Sequence, residues 1–368
     1  MTRITITGYY GTGNLGDDMM LRGLLRSLSR VNLKSRIRVF SFNNYESIEI
    51  ANFEEVEIIK LPGTRTYRSL SGALKTLWST DILLYGGGTV FTDSSGDGSF
   101  KLFILAKLLG CKIGYIGVGL GSLTKTSRIL KTRILLRLSY LVVFRERTSF
   151  DHAVKIAGKR KEFLVRPDLW YLDYCERMDD LLKKSRQNNS IVICLRPIDQ
   201  YVNNGEHSKV VYKNIYDNLV RLIISEQYSH IELVTIDNVK DRNITSEFQE
   251  YLSDKGISAI VYCELKVNEK LEKLASARFV FSMRLHSSYT AYYCNVPFHS
   301  VAYSTKLNIF HDHVNNSNYT QLSALKTKGY KMDLLQKNTR ENRDAHLNNP
   351  KLYSDQILAL GQIIHDLI

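Results

Sequence analysis

Arg284, Leu285 and His286 stand between a short apolar run, Phe279-Val280-Phe281, and a stretch of small and aromatic residues from Ser287 to Tyr293. The run reads as a buried strand and the stretch as a helix, so the triplet sits at a strand-to-helix junction. Backbone N–H groups and the positive helix end favour an anion at such a junction. A fixed guanidinium two positions from a titratable imidazole suits holding an anionic group while a proton moves beside it. The plainer reading is a buried arginine and a core histidine that only join two elements.

Other residues with chemistry to offer also follow apolar runs. Arg196-Pro197 ends the run Ser190–Leu195, and capping that strand or pairing with Asp199 is its plainer use. Gly86-Gly87-Gly88 follows Asp81–Tyr85, with Asp93 on the loop beyond. Consecutive glycines after a strand let a ligand or another backbone approach closely. Gly11, Gly13 and Gly16 follow the first strand and spell a dinucleotide fingerprint, with Asp17 and Asp18 opening the next helix. Two features argue against a nicotinamide enzyme. The second strand, Arg38–Asn43, does not end in the acid that would hold a ribose, and Asp17 and Asp18 would repel a pyrophosphate. A tight turn with Asp17 or Asp18 capping the helix accounts for the same residues. His311-Asp312-His313 invites a metal, but without a third ligand in spacing it reads as loop surface.

These positions need a sheet to line them up. Apolar runs of strand length alternate with helical spacing along the chain, which predicts parallel α/β architecture. The first half runs to Phe163-Leu164-Val165, and residues 170–190 turn polar and charged, which marks a boundary. The expected division is an N-terminal α/β domain over 1–180, a C-terminal α/β domain over 190–320 and a helical tail over 321–368. The fold class is thus two Rossmann-like domains with a central cleft, a GT-B-like arrangement. Val56–Lys60 is a strand candidate in an otherwise weak stretch, and Ile357–Ile368 reads as a terminal helix.

Composition narrows the class. Hydrophobic residues make up 44% of 368, ordinary for a globular chain, and no run approaches the roughly 18 apolar residues of a membrane span. The N-terminus enters a strand pattern without a signal-peptide core. Five scattered cysteines with no CxxC pair read as free thiols in a reducing cytoplasm. The formal charge of +13 is densest in Lys125–Arg147, Lys155–Arg166 and Lys326–Arg343, none of which forms a nucleic-acid module. Small anionic substrates or an anionic membrane surface remain as partners for it.

Taken in order, the motifs resemble the polysaccharide pyruvyl transferase family. They are Gly11-x-Gly13-Asn14-x-Gly16-Asp17, Gly86-Gly87-Gly88 with Asp93, Gly117-x-Gly119-x-Gly121, Arg145-Glu146, Arg196, Ser282-x-Arg284-Leu285-His286 and Tyr303-x-x-Lys306. Asp18 stands where glutamate is common in that family, a change that keeps the charge. The resemblance covers the chain to about residue 310 and implies transfer of a pyruvyl group from phosphoenolpyruvate to a sugar as a cyclic ketal. It implies a donor site of Arg196, Arg284, Leu285, Tyr303 and Lys306, with His286 protonating the donor methylene and Asp93 orienting or deprotonating the sugar hydroxyl. Gly11, Gly13, Asn14, Asp17, Gly87 and Gly88 fall on acceptor-side loops in this reading. No cofactor or metal is implied, since arginines and a helix end can stabilise the leaving phosphate.

Surface-polysaccharide assembly at the inner face of a membrane, on a lipid-linked oligosaccharide, is the corresponding setting. Arg284→Ala and His286→Ala are expected to lose activity with little loss of folding. Two other readings fit the same plan: a GT-B nucleotide-sugar glycosyltransferase, and a non-catalytic glycan-binding protein. The acceptor sugar, its hydroxyl pair, the ketal stereochemistry and the oligomeric state are not encoded in any of these motifs.

Overall fold

The computed structural model describes residues 1–30, 35–42, 56–60, 68–93, 96–184, 188–202, 205–314, 316–334 and 350–366. The chain divides into two compact units, one of Met1–Glu176 with Pro350–Ile368 and one of Arg177–Asn349.

The first unit is built on strands β1 (Thr2–Thr7), β2 (Ser35–Ser41), β3 (Val56–Lys60), β4 (Ile82–Gly86), β5 (Thr89–Phe91), β6 (Lys112–Leu120), β7 (Leu141–Phe144) and β8 (Phe163–Val165). They lie in the order β3-β2-β1-β4-β6-β7-β8, every pair parallel, with β5 joined to β6 off that path. Parallel strands need crossovers, and here these include the helices α1 (Leu15–Ser29), α2 (Arg68–Trp78), α3 (Phe100–Leu108), α4 (Thr126–Leu138) and α5 (Arg147–Ala157), with α6 (Trp170–Cys175) after β8. Helices on both faces leave no solvated side, which is why β7 can be apolar throughout and fully buried. One core layer joins Leu77, Phe103, Leu135 and Ala153 from α2 to α5 with Leu83 and Val142 from the sheet. Each such leucine or phenylalanine contributes roughly 1.5–3 kcal/mol by its burial.

The second unit holds β9 (Ser190–Cys194), β10 (His230–Val234), β11 (Ile260–Tyr262), β12 (Phe279–Ser282), β13 (Phe298–Ala302) and β14 (Tyr319–Gln321). Their order is β11-β10-β9-β12-β13-β14, again parallel throughout. Its helices are α7 (Met178–Lys184), α8 (Gly205–Glu226), α9 (Arg242–Ser253), α10 (Val267–Ser276), α11 (Leu285–Tyr293) and α12 (Thr305–His313). Ile193, Leu219, Leu233, Phe248 and Phe281 fall in one core cluster.

The last helix, α13 (Pro350–Asp366), returns to the first unit. It buries Ile357, Leu360 and Ile364, its Ile357 carbonyl accepts a 2.8 Å hydrogen bond from the Ser27 hydroxyl of α1, and Tyr353 packs on Tyr171 of α6. The stretch read from sequence as one tail is therefore divided: residues to 334 pack with the second unit and α13 with the first. The basic run Lys326–Arg343 lies outside the described residues beyond 334. No described helix is long and apolar enough to cross a membrane.

Both sheets reverse their strand order once, between β1 and β4 in the first and between β9 and β12 in the second. At such a reversal the connections leave in opposite directions, and the carboxyl ends of the two central strands are left open to a ligand.

Candidate functional site

Ser282, the last residue of β12, pairs in register with Cys194, the last of β9, and the Met283 amide donates to the Cys194 carbonyl at 2.8 Å. Two residues beyond each strand end stands an arginine, Arg196 or Arg284, so the two flank the reversal of the second sheet. Small residues make this possible. The Ser282 hydroxyl lies 2.6 Å from that of Ser287, and Ser288 lies 2.9 Å from Ser300, so the start of α11 is tied closely to β12 and β13.

The two arginines are held differently. Arg284 is the N-cap residue of α11, and its Nε donates to Asp241 Oδ2 at 3.0 Å while Nη2 pairs with Oδ1 of the same carboxylate. Asp237 lies 4.0 Å from Nη2, and both aspartates are fully buried on the loop after β10. Burial alone would lower the Arg284 pKa, but the charge and hydrogen bonds of Asp241 outweigh it and hold the pKa above the ordinary value. Its Nη1 edge stays outside the ion pair.

Arg196, only 9% exposed, has no carboxylate within 4.0 Å among the described residues. Its Nε donates to the Pro197 carbonyl at 3.3 Å and its Nη2 to the Tyr201 hydroxyl at 3.2 Å. The guanidinium carbon lies 4.1 Å from the centroid of the Tyr303 ring and 5.1 Å from that of Tyr201. Asp199, the partner its plainer reading offered, instead accepts from the Tyr212 hydroxyl at 3.4 Å. Two tyrosine faces stabilise the cation in part, and no described carboxylate balances its charge.

Leu285 and His286 are the first two residues of α11, both half-buried, and the imidazole meets Tyr289 edge-on at 5.8 Å between centroids. Tyr303 directly follows β13, and Lys306 lies half-buried in the first turn of α12. The second unit therefore brings Arg196, Arg284 and Tyr303 to its open strand ends together, with Leu285 and His286 next to Arg284 in the chain.

The first unit gathers its glycines the same way. Gly11 (φ 76°) and Gly13 (φ 69°) take left-handed backbone after β1, and Gly87 (φ 76°) and Gly88 (φ 81°) do so after β4. A Cβ on Gly87 would stand 2.7 Å from Met20 Sδ, and one on Gly88 would stand 3.3 Å from Asp17 Oδ1, so the two loops meet over α1. Asn14, not Asp17 or Asp18, caps α1, its side chain accepting from the Gly16 amide at 3.1 Å. Asp18 turns inward and accepts from the Gly11 amide at 3.3 Å.

Asp93 has a structural task. Its carboxylate accepts from the Thr124 amide and hydroxyl, both at 2.7 Å, and from the Lys125 amide at 3.1 Å, just ahead of α4. Burial pulls its pKa up, but these bonds outweigh it and hold the pKa below the ordinary carboxylate value. A carboxylate stabilised in its charged form is a weaker base.

Several contributors were not apparent as site residues from sequence. Asp241 and Asp237 lie about forty residues from Arg284 with no motif around them, and Tyr201 sits in a short 3-10 turn. In the first unit, Arg145 is paired with Glu146 at 2.9 Å and Asp168 at 3.0 Å and also reaches Thr89, so it braces strand ends. His311 corrects the loop-surface reading. It is a buried residue of α12 stacked on Tyr319 at 4.4 Å, because α12 turns an apolar side toward β13 and β14. Among the described residues no three His, Cys, Asp or Glu side chains gather as metal ligands.

Two Rossmann-like parallel α/β units in one chain, each with its reversal lined by glycine or arginine, define a GT-B-type fold. The fold resembles the UDP-N-acetylglucosamine 2-epimerase of Rickettsia bellii, with a TM-score of 0.63 at 11% identity over 100% of this chain and 96% of that one. It likewise resembles the UDP-GlcNAc 2-epimerase of Methanocaldococcus jannaschii, at 0.62 and 13% over 100% of both chains. The Neisseria meningitidis enzyme bound to UDP-GlcNAc gives 0.58 and 11%, over 100% and 99%. No curated protein sequence matches the chain. The chain belongs to the polysaccharide pyruvyl transferase family, whose model matches residues 14–305.

Proposed function

We propose that the protein transfers the pyruvyl group of phosphoenolpyruvate onto a sugar of a surface polysaccharide or its lipid-linked precursor, forming a cyclic ketal and releasing phosphate. Family membership supports the reaction class. The observation that carries the donor is Arg196, a nearly buried guanidinium against two adjoining tyrosine rings with no described carboxylate within 4.0 Å. Phosphoenolpyruvate brings a phosphate and a carboxylate, and a planar guanidinium binds either through paired hydrogen bonds. Arg284 offers its remaining edge, with Leu285, Tyr303 and Lys306 completing the donor side. The glycine loops with Asn14 and Asp17 take the acceptor side.

In this mechanism His286 delivers a proton to the donor methylene carbon, and C2 becomes electrophilic. One sugar hydroxyl adds to C2, and its proton restores the one that His286 gave up. The C2–O bond to phosphate then breaks, and a second hydroxyl closes the ketal, its proton leaving with the phosphate. Asp93, already bound to Thr124 and Lys125, orients a hydroxyl in this scheme rather than deprotonating it. No cofactor or metal enters the scheme. The reaction takes place in the cytoplasm, at the inner face of the membrane where the acceptor is lipid-linked.

Incubation with phosphoenolpyruvate and a panel of glycans is expected to give acceptor-dependent phosphate release and a product heavier by one pyruvate ketal. Saturable binding of a nucleotide sugar with no response to phosphoenolpyruvate would instead make the protein a glycosyltransferase. The positive charge predicts binding to anionic vesicles at low salt that is lost as salt rises, and failure to bind at low salt removes the membrane setting.

A further inference from the structure

An open cavity lies beside the arginine site, within the second unit. It has a volume of about 280 Å³ and is lined by Tyr201, Tyr303, Asn308, Gln321, Ser323 and Lys326, among others. Its chemistry differs from that of the Arg196 site. No carboxylate lines it, and the only aliphatic contributions are Ala302 and Leu322. Its polar side chains are amides and hydroxyls, with a single lysine, Lys326. Pockets for drug-sized ligands run to roughly 300–1,000 Å³ and are mostly apolar, so this smaller polar cup suits a single sugar ring better than a whole nucleotide.

The hydrogen bonds point the same way. Gln321 Nε2 donates to Asn308 Oδ1 at 3.0 Å, and this uses one donor and one acceptor of the pair. The Asn308 NH2 and the Gln321 carbonyl oxygen remain as a donor and an acceptor on the same bonded pair. Neighbouring sugar hydroxyls, each able to donate and accept, match such a pair. Tyr303 joins the two places, since its ring lines the cavity and also bears the Arg196 guanidinium at 4.1 Å.

We infer that this cup is a glycan subsite, holding a further sugar ring of the acceptor chain, beyond the one on the glycine loops, beside the arginine site. The assignment of that sugar to an acceptor rests on the pyruvyl-transfer reading, whereas binding of a saccharide there does not.

Saturation-transfer NMR on the full chain with a panel of neutral mono- and disaccharides, without phosphoenolpyruvate, tests it. At least one sugar is expected to show transfer. Asn308→Ala and Gln321→Ala, both away from the buried core, are each expected to weaken its binding about fivefold, the usual effect of a lost hydrogen bond. Phosphoenolpyruvate affinity, measured by calorimetry, is expected to stay unchanged in both variants. A panel in which no sugar binds, or variants that bind the sugar as tightly as the parent, would overturn the subsite. Sugar binding that depends on Asn308 and Gln321 in a protein that ignores phosphoenolpyruvate would keep the subsite and defeat the pyruvyl-transfer reading.

Discussion

Arg196 and Arg284 are the same residue type at matching places in one sheet, yet they should respond to mutation in opposite ways. Arg284 balances the buried Asp241, so Arg284→Met strands a carboxylate and is expected to cost about 3–5 kcal/mol in a denaturant titration. This reverses the expectation from sequence that its loss would spare the fold. Arg196 balances no described carboxylate, so Arg196→Met is expected to leave stability unchanged or raise it. The same substitution should weaken phosphoenolpyruvate binding at least tenfold by calorimetry, with Arg196→Lys in between because a lysine keeps the charge but not the planar stack. A loss of stability in Arg196→Met would mean that the arginine is structural. Both arginines were legible in the sequence because each follows an apolar run. The counter-charge of Arg284 was not, since Asp241 reaches it only through the folding of separate strands onto one edge, and Tyr303, named through the resemblance, gave no sign of stacking on Arg196.

At the scale of elements, strand ends and helix starts decide what the sheet can present. Gly87 combines a left-handed φ of 76° with a place where a Cβ would stand 2.7 Å from Met20 Sδ. Gly87→Ala is therefore expected to destabilise the first unit by about 1–3 kcal/mol, read as a lower denaturation midpoint. On β13 and α12, burial pushes His299 and His311 down to about 4, with the neighbouring His311 adding to the effect on His299. Unfolded imidazoles titrate near 6.5, so between these values the unfolded chain takes up protons that the folded chain refuses. Stability from these two groups is complete above about pH 6.5 and falls as pH drops toward 4, by on the order of 3 kcal/mol for each. Denaturant midpoints from pH 7 to 4.5 check this, and a His311→Phe variant should show a shallower fall. Period and punctuation made most elements legible, Leu141–Phe144 to the residue. The two histidines were not legible because a polar residue type hides an apolar environment, and Asn14 was overlooked as a cap because two acids beside it offered the same role.

On the scale of the whole molecule, the chain's path matters more than its composition. Alternating strands and helices announced two parallel sheets, but no pattern in α13 says which core it serves. Its apolar side packs on α1 and α6. Removing Pro350–Ile368 is expected to expose that surface, so that hydrogen exchange accelerates across α1 and α6 while β9 to β13 keep their protection. Equal acceleration in both units would mean that α13 stabilises them as one cooperative body.

The return of α13 also sets an order of events during synthesis. Arg177–Asn349 is continuous in sequence and can fold as soon as it clears the ribosome, whereas the earlier-made unit waits for the last helix before its apolar face is covered. The unit begun before its neighbour is thus completed after it, and through that interval its apolar side stays uncovered.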